Sequence, residues 1–208
     1  MNYQDATYWK NRLLSDSKKD WHDPSDWVTG YVNSKDHPHR DLIVSAAESL
    51  KPFNSILEVG CNAGPNLARL SQFFGTRLVG IDINQDTIDK ARETLPGVEL
   101  RTGNFIHGLP FGKWEFDVVL SDAVLLYVSD AQIEKVLDDF DRVAQRGIVL
   151  CEWDDESKLG TLKNFHWARD YKTLLEERGF QVEKVKITEK DWPTPSWSTY
   201  GYVYIARR

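Results

Sequence analysis

Along the chain, short runs of apolar residues alternate with longer amphipathic stretches of hydrophobic and polar positions. Short apolar runs bounded by turn residues are typical of strands buried in a parallel sheet, and the 3.6-residue spacing of the longer stretches predicts helices. The pattern predicts strands at residues 55–59, 77–82, 98–101, 116–121, 148–152, 181–188 and 200–206. It predicts helices at residues 3–14, 41–50, 66–74, 86–95, 131–144 and 165–178.

This order of elements predicts an α/β fold in a single domain spanning residues 1–208. Regular β-α alternation gives a mostly parallel, doubly wound sheet with helices on both faces, hence three layers. A loop, and no helix, is predicted between the last two strands. We therefore expect a seven-stranded sheet whose last strand is antiparallel to the others.

The first predicted strand runs into a glycine turn, and the turn runs into a helix that begins near Pro65. Gly60 and Gly64 tolerate positive φ and leave room for a ligand against the backbone. Free backbone donors are expected there, at a helix N-terminus. The dinucleotide pattern G-x-G-x-x-G fails, because Asn62 and Pro65 stand where it needs glycine. What remains is acid-x-Gly-x-x-x-Gly, with Glu58 as the acid.

Ligands of open α/β sheets bind beyond the carboxyl ends of the strands, so the residues at those ends are candidates. Asp82 ends the second strand, and its ionised carboxylate could accept two hydrogen bonds from a ribose diol. Its alternative role is to cap the next helix. Asn104 and Phe105 follow the third strand, where an amide and a ring could contact adenine. Asn104 could instead be only a turn residue.

These motifs, ordered between residues 53 and 153, resemble those of class I S-adenosylmethionine-dependent methyltransferases. The lead into the fourth strand, Phe-Asp-Val-Val at 116–119, is similar to the family's Phe-Asp-x-Val, whereas Asn62 replaces the family's middle glycine. The resemblance implies a Rossmann-like core at residues 51–208, an N-terminal helical lid at residues 1–50 and no required metal. It also implies that the following residues hold S-adenosylmethionine, and the product S-adenosylhomocysteine: Glu58, Gly60, Cys61, Asn62, Gly64, Asp82, Ile83, Asn104, Phe105, Ser121 and Arg40.

Within that resemblance, Asp82 would bind the ribose, and Asn104, where the family usually has Asp, would lie near the adenine amine. Ser121 would lie beside the methionine part. Arg40 could pair with the cofactor's carboxylate, as arginine suits a bidentate contact. The alternative for Arg40 is a solvent-facing charge at the start of a helix.

Methyl transfer needs a dedicated base only if the acceptor is a hydroxyl or a protonated amine. Asp122 and Glu152, at strand ends, and His37 are the catalytic candidates, with solvated or capping roles as their alternatives. His39 and His166 are further candidates, although a histidine in a loop is usually a surface residue. His37 and His39 have no third ligand at metal spacing, so we predict no metal site.

Aromatic residues in the N-terminal segment and the late loop predict an acceptor site for a sugar or planar ring. The candidates are Trp9, Tyr31, Tyr127, Trp153 and Trp197. The alternative is that these side chains only pack the N-terminal segment against the domain.

The net charge of −6 disfavours nucleic acid as the main partner, since an acidic surface repels phosphates. No long apolar segment or signal-peptide pattern is present, so we expect a cytoplasmic protein with no membrane contact. Cys61 and Cys151 fall at predicted core positions, in keeping with a reducing compartment.

The leading hypothesis is therefore methylation of O or N on a small molecule by a monomer or homodimer. An RNA or protein methyltransferase, a non-catalytic cofactor-binding protein and a nicotinamide-dependent oxidoreductase are the alternatives.

Overall fold

The computed structural model describes residues 6–12, 27–156, 160–163 and 166–208, with backbone only for Trp27 and residues 161–163. Both ends of the helix predicted at residues 3–14 lie outside the described residues.

The helices and strands alternate along the core as the sequence predicts. The described helices are Ala6–Asn11 (α1), Trp27–Asn33 (α2), His39–Glu48 (α3), Pro65–Ser71 (α4), Gln85–Thr94 (α5), Asp130–Val143 (α6), Tyr171–Glu176 (α7) and Pro195–Tyr200 (α8). The described strands are Ser55–Val59 (β1), Arg77–Asp82 (β2), Glu99–Thr102 (β3), Phe116–Asp122 (β4), Ala144–Trp153 (β5), Thr161–Lys163 (β6), His166–Ala168 (β7), Gln181–Lys186 (β8) and Gly201–Arg207 (β9). Short 3₁₀ helices span Ser34–Asp36, Phe105–His107 and Leu125–Tyr127.

Seven strands form one sheet in the order β3-β2-β1-β4-β5-β9-β8. Strands β1 to β5 pair in parallel, and β9 lies between β5 and β8, antiparallel to both. The predicted fold class, including the antiparallel last strand, is confirmed. The strand order reverses between β1 and β4, and this reversal leaves a crevice beyond their carboxyl ends.

Each face of the sheet is covered by its own helices, so the sheet is the middle of three layers. Ile56 of β1 packs in the cluster that includes α3, α4 and α5. Its neighbour Leu57 packs in the opposite cluster, which includes α6 and α7. Successive strand residues point to opposite faces, which is why an uninterrupted apolar run is needed here.

The turn after β1 has the backbone geometry that its glycines suggested. Gly60 and Gly64 have φ of 77° and 76°, and Pro65 occupies the first turn of α4. A Cβ on Gly60 would lie 2.4 Å from Val124 Cγ2, so close packing also requires glycine there. Asn62 adopts φ of 50°, and asparagine tolerates this left-handed conformation better than most residues. Asn62 can therefore replace the glycine that related turns carry.

Three predicted element assignments are wrong. The helix predicted at 165–178 is shorter: α7 starts at Tyr171, where Asp170 caps it by accepting a hydrogen bond from Thr173 N. Residues before it form β7, which pairs with β6 in a separate two-stranded sheet. The predicted loop before the last strand contains α8, and α2 was not predicted. Each of these elements has seven residues or fewer, and hydrophobic periodicity is a weak signal over so short a length.

The longest helix in the described ranges is α6, with 14 residues. None of the described helices combines the length and apolar character that crossing a membrane requires.

Candidate functional site

A cavity of about 980 Å³ opens at the carboxyl ends of the central strands. The glycine turn and the residues that follow β2, β3 and β4 form its floor, and the N-terminal segment and residues 192–197 form its walls. Among the predicted site residues, those that line it are Trp9, Tyr31, His37, Arg40, Gly60, Asn62, Asp82, Ile83, Asn104, Phe105, Asp122, Tyr127, Trp153 and Trp197.

Five predicted site residues lie behind the cavity lining instead of in it. Glu58, Cys61, Gly64, Ser121 and Glu152 are all buried, and none of them lines the cavity. The structure therefore does not support direct ligand contact by their side chains. The Ser121 hydroxyl has no hydrogen-bond partner among the described residues.

Asp82 is fixed at one end of the cavity by two backbone amides. Its Oδ2 accepts a hydrogen bond from Asn62 N at 2.9 Å, and its Oδ1 accepts one from Asn84 N at 2.9 Å. Burial raises the pKa of Asp82, and the backbone hydrogen bonds act in the opposite direction. The alternative role as helix cap is wrong, because Asn84 caps α5 by accepting from Thr87 N. Each oxygen of Asp82 retains a lone pair for a ligand hydroxyl.

The glycine turn does not present the free amides that its sequence suggested. Gly60 N and Cys61 N both donate to Ile81 O, and Gly64 N donates to Cys61 O. Asn62 N donates to Asp82, and Ala63 N donates to the Asn62 side chain. All five amides from 60 to 64 thus donate within the protein, three of them to the end of β2 and two within the turn. Recognition at this end of the cavity must come mainly from side chains.

Asn104 and Phe105 follow β3 and line the same end of the cavity. The Asn104 side chain accepts a hydrogen bond from Ile106 N at 3.1 Å, so it caps the short 3₁₀ helix Phe105–His107. The turn role is therefore observed. It leaves the Asn104 amide nitrogen available as a donor.

A buried polar network lies under the centre of the cavity. Asp122 Oδ2 accepts hydrogen bonds from Asn66 Nδ2 at 2.9 Å and Arg40 Nη1 at 3.2 Å. Asn66 also donates to Glu58 Oε1 at 2.7 Å and accepts from Arg40 at 2.5 Å. Burial opposes ionisation of Asp122, but His39 and Arg40 outweigh it and hold the pKa of Asp122 below its usual range.

Arg40 is buried, with only 4% of its surface exposed, so the solvent-facing alternative is wrong. Its guanidinium also donates to the backbone oxygen and the hydroxyl of Ser34, at 2.7 and 2.8 Å. Four donated hydrogen bonds are therefore made within the protein, and one N–H remains for a ligand anion.

Two histidines continue this network along the cavity wall. His39 Nε2 lies 3.0 Å from Asp122 Oδ2, and His39 Nδ1 lies 2.6 Å from His37 Nδ1. The His39 ring is buried and stacks on Trp192, with centroids 4.0 Å apart. The expectation that these histidines are surface residues is wrong for His39. In the described part of the chain, no group of three or more His, Cys, Asp or Glu side chains could hold a metal ion.

Glu152 was predicted as a catalytic candidate, and the structure gives it a different environment. Its side chain is fully buried and accepts hydrogen bonds from the backbone amides of Val124, Leu125 and Leu126, at 2.8 to 3.1 Å. Burial raises the pKa of Glu152 to about 8, while these amides act against it. Glu152 thus fixes the segment after β4, which carries part of the cavity floor.

Aromatic side chains form the far end of the cavity. The Trp192 and Trp197 rings stack with centroids 3.9 Å apart and an interplanar angle of 7°. Trp153 contacts Trp197 edge-on at 6.0 Å, and Trp9 contacts Tyr127 at 5.0 Å. Burial raises the pKa of Tyr31 to about 12, so this phenol stays neutral. Trp9 and Tyr127 pack the N-terminal segment against the domain and also line the cavity. Packing and cavity lining, which were alternatives from the sequence, are therefore compatible roles.

Sequence reasoning missed two asparagines that organise the site. Asn66 joins Glu58, Arg40 and Asp122, and Asn84 holds the N-terminal segment by donating to Trp9 O and Arg12 O at 2.8 and 2.9 Å. The sequence signal that could have revealed Asn66 is its position, since it is a polar residue in the first turn of a helix whose buried face is otherwise apolar.

Comparison with known proteins agrees with this geometry. A family model described as "Methyltransferase domain" matches residues 56–147. This stretch contains β1 to β4 and the glycine turn, in the topology described above. Residues 56–147 of the chain therefore match a methyltransferase domain. The resemblance inferred from the motifs is confirmed.

Similar proteins extend the match over the same domain. An uncharacterized protein of Haemophilus influenzae is 25% identical over 146 residues, covering 66% of this chain and 54% of that protein. A probable S-adenosylmethionine-dependent methyltransferase of Mycolicibacterium smegmatis is 29% identical over 137 residues, covering 62% of this chain and 52% of that protein. The chain spans about half the length of the curated relatives it matches.

The fold of this methyltransferase domain is also that of magnesium protoporphyrin IX methyltransferase from Synechocystis, solved with bound S-adenosylmethionine. The two structures superpose with a TM-score of 0.65 at 16% identity, over 95% of this chain and 88% of that one. At this identity the likeness concerns the fold alone.

Proposed function

We propose that this protein transfers a methyl group from S-adenosylmethionine to an oxygen or nitrogen of a small molecule with a planar ring or a sugar. The observation that carries the proposal is the continuity of the cavity. One space is lined by the Asp82 carboxylate at one end and by stacked tryptophans at the other. A volume of about 980 Å³ is at the upper end for a single ligand and suits two small molecules.

The residues at the polar end fit the cofactor. Asp82 is held by Asn62 N and Asn84 N with lone pairs to spare, as a ribose diol requires. Asn104 and Phe105 supply an amide donor and a ring for adenine, and Arg40, which lines the cavity with one N–H unused, supplies a donor for the cofactor's carboxylate. When bound, the cofactor supplies an electrophilic methyl group on a sulfonium. The protein must then orient the acceptor and exclude water.

The aromatic end supports a small acceptor with flat faces. Trp153, Trp192 and Trp197 form a wall on which a ring can pack, and Tyr127, in contact with Trp9 of α1, also lines the cavity. Aromatic walls bind planar rings and sugars through their faces. The net charge of −6 supports a small acceptor over RNA, whose phosphates the surface would repel.

The test combines binding with turnover. Calorimetry should show binding of S-adenosylmethionine and S-adenosylhomocysteine, and mass spectrometry should show methylation within a panel of phenols, heteroaromatic amines and glycosides. Binding without turnover on any acceptor class would instead support a non-catalytic cofactor-binding protein. Methylation of RNA or protein, with steeply salt-dependent binding in the case of RNA, would overturn the small-molecule acceptor.

Replacing Asp82 tests the cofactor end directly. We expect Asp82→Ala to weaken S-adenosylmethionine binding by about 1–3 kcal/mol, or roughly 5- to 150-fold in Kd, because charge-assisted hydrogen bonds to the ribose are lost. Asp82→Asn should lose a similar amount, because its NH₂ group must replace one of the two oxygens that accept from backbone amides. Calorimetry measures both.

Asp89→Ala is the matched control, since Asp89 lies on the next helix with 57% of its side chain exposed and does not line the cavity. Circular dichroism should show that the Asp82 variants keep their fold. An unchanged Kd in Asp82→Ala would mean that the carboxylate only organises the turn.

A further inference from the structure

Three side chains from different parts of the chain stand in a row on the cavity wall. His37 follows the 3₁₀ helix Ser34–Asp36, His39 is the first residue of α3, and Asp122 ends β4. His37 Nδ1 lies 2.6 Å from His39 Nδ1, and His39 Nε2 lies 3.0 Å from Asp122 Oδ2. All three residues line the cavity. We call this row the histidine relay.

The order of donors and acceptors in the histidine relay follows from its carboxylate end. Asp122 is ionised and can only accept, so His39 Nε2 carries the hydrogen that points at it. In neutral His39 the Nδ1 atom is then a bare acceptor, because the partner of one ring nitrogen sets the state of the other. The hydrogen between the two Nδ1 atoms must therefore belong to His37. This leaves His37 Nε2 with a free lone pair.

The surroundings hold the histidine relay in this arrangement. Asn66 and Arg40 donate to the same Asp122 oxygen that faces His39. The His39 ring is 2% exposed and stacks on Trp192, and His37 N donates to Ser34 O. His37 itself is only partly buried and lines the cavity.

We propose that His37 Nε2 is the base that takes a proton from the methyl acceptor, and that His39 and Asp122 are positioning residues that fix its tautomer. This inference rests on the proposed function and narrows it. The acceptor atom would carry a removable hydrogen, as in a hydroxyl or an ammonium group. A tertiary amine or a thioether would not need the histidine relay.

The proposed step balances in atoms and charge. For a hydroxyl acceptor, the O–H bond breaks and its proton moves to His37 Nε2, while an oxygen electron pair forms the new bond to the methyl carbon. The pair of the broken sulfur–carbon bond stays on sulfur. The positive charge therefore passes from the sulfonium to the imidazolium of His37. His39 Nδ1 and, through it, Asp122 then stabilise that new charge.

The histidine relay also predicts when the base is available. Burial, and then the neighbouring His39 and Arg40, lower the pKa of His37 to about 4, and only Asp122 raises it. Burial and Arg40 also lower the pKa of His39, against the effects of Asp122 and Asp191. Since the lone pair persists above the pKa, kcat/KM should stay level down to about pH 5 instead of falling near the usual histidine pKa of about 6.5.

The tautomers can be tested without cofactor or acceptor. Long-range ¹H–¹⁵N NMR correlation on the uniformly labelled cofactor-free protein at pH 7 should show hydrogen on Nδ1 of His37 and on Nε2 of His39. In Asp122→Asn, the pattern at His39 should weaken or reverse. Hydrogen on Nε2 of His37 in the wild-type protein would overturn the proposal, whatever the enzyme methylates.

Turnover gives the second test. His37→Gln should lower kcat by about 10²- to 10⁴-fold, the usual contribution of a general base, with the Kd for S-adenosylmethionine changed less than about twofold. His39→Gln should lower kcat less and should shift the acid limb of the pH profile. The loss in His37→Gln should shrink across a series of phenols of increasing acidity, because acidic phenols need less help in losing a proton.

His107→Gln is the matched control, since His107 is exposed and does not line the cavity. It should keep wild-type kcat and pH profile. Wild-type turnover in His37→Gln, with its fold verified by circular dichroism, would overturn the histidine relay and leave the methyltransferase assignment intact. Absence of turnover in the wild-type protein on every acceptor would instead overturn the proposed function, and the base role with it.

Discussion

Arg169→Met should lower the free energy of unfolding by about 2–4 kcal/mol, because it removes a buried cation from its pair with the partly exposed Asp130 and leaves the Val128 oxygen without this donor. The Arg169 side chain is fully buried. Its guanidinium donates to Asp130 Oδ1 at 2.9 Å and to the backbone oxygens of Leu125 and Val128 at 3.2 and 2.5 Å. One cation thus joins the start of α6 to the segment after β4. Urea unfolding followed by circular dichroism measures the loss.

Arg92→Met is the control for removing an arginine of the same size. Arg92 pairs with Asp89 on α5, but 48% of its side chain is exposed, and such surface pairs contribute about 0–1 kcal/mol. If the losses in unfolding free energy of Arg169→Met and Arg92→Met differ by less than about 1 kcal/mol, burial does not make the Arg169 contacts stronger than a surface ion pair. The segment that Arg169 holds includes Leu126 and Tyr127 of the cavity, so Arg169→Met should also weaken ligand binding.

The central part of the fold could be predicted from the sequence because its signals are local. Four of the first five strands, β1, β2, β4 and β5, contain a short apolar run, and the periodicity also shows the helices that connect parallel strands. The glycine turn is specified by adjacent residues such as Gly60, Gly64 and Pro65. Short elements such as α8 and β7 depend on tertiary packing, so periodicity over six or fewer residues could not find them.

The strand-end rule placed Asp82, Asn104 and Asp122 on the cavity but could not tell which way each end residue turns. Glu152 follows the same rule, yet its carboxylate points into backbone amides of the segment after β4. The helix N-terminus after β1 likewise predicted free amides in the glycine turn, whereas the Ile81 carbonyl accepts hydrogen bonds from two of them. A sequence shows which groups can donate and accept, and only the fold shows which of them are already used.

The polar network under the cavity lay beyond sequence reasoning for a different reason. Arg40 and His39 reach Asp122 across 82 and 83 residues, and Asn66 reaches it across 56. No local pattern reports such pairing. The sequence did single out Asp122, His37 and Arg40 one by one, but the histidine relay and the burial of Arg40 depend on all of them meeting at one strand end.

Glu58, the acid of the glycine-turn motif, should make the protein less stable as the pH rises, and Glu58→Gln should remove that effect. Glu58 is 2% exposed, and its Oε2 has no hydrogen-bond partner among the described residues. Burial raises its pKa from 4.5 to about 8, against the hydrogen bond from Asn66. Between these two pH values the folded state holds a proton that the unfolded chain has released. Stability from this group is therefore complete below pH 4.5 and is lost as the pH rises through about 8.

Glutamine at this position reproduces the protonated acid at every pH, since its carbonyl oxygen can still accept from Asn66 Nδ2. We expect Glu58→Gln to be more stable than the wild type by about 1 kcal/mol at pH 5.5 and by roughly 4 kcal/mol at pH 9. Urea unfolding without cofactor at both pH values measures this difference. Glu48→Gln is the control, because Glu48 has 62% of its side chain exposed and should show no such pH dependence. If the wild type is less stable than Glu58→Gln by the same amount at pH 5.5 and pH 9, Glu58 is already ionised in the folded protein. Arg40 would then stabilise that charge through Asn66.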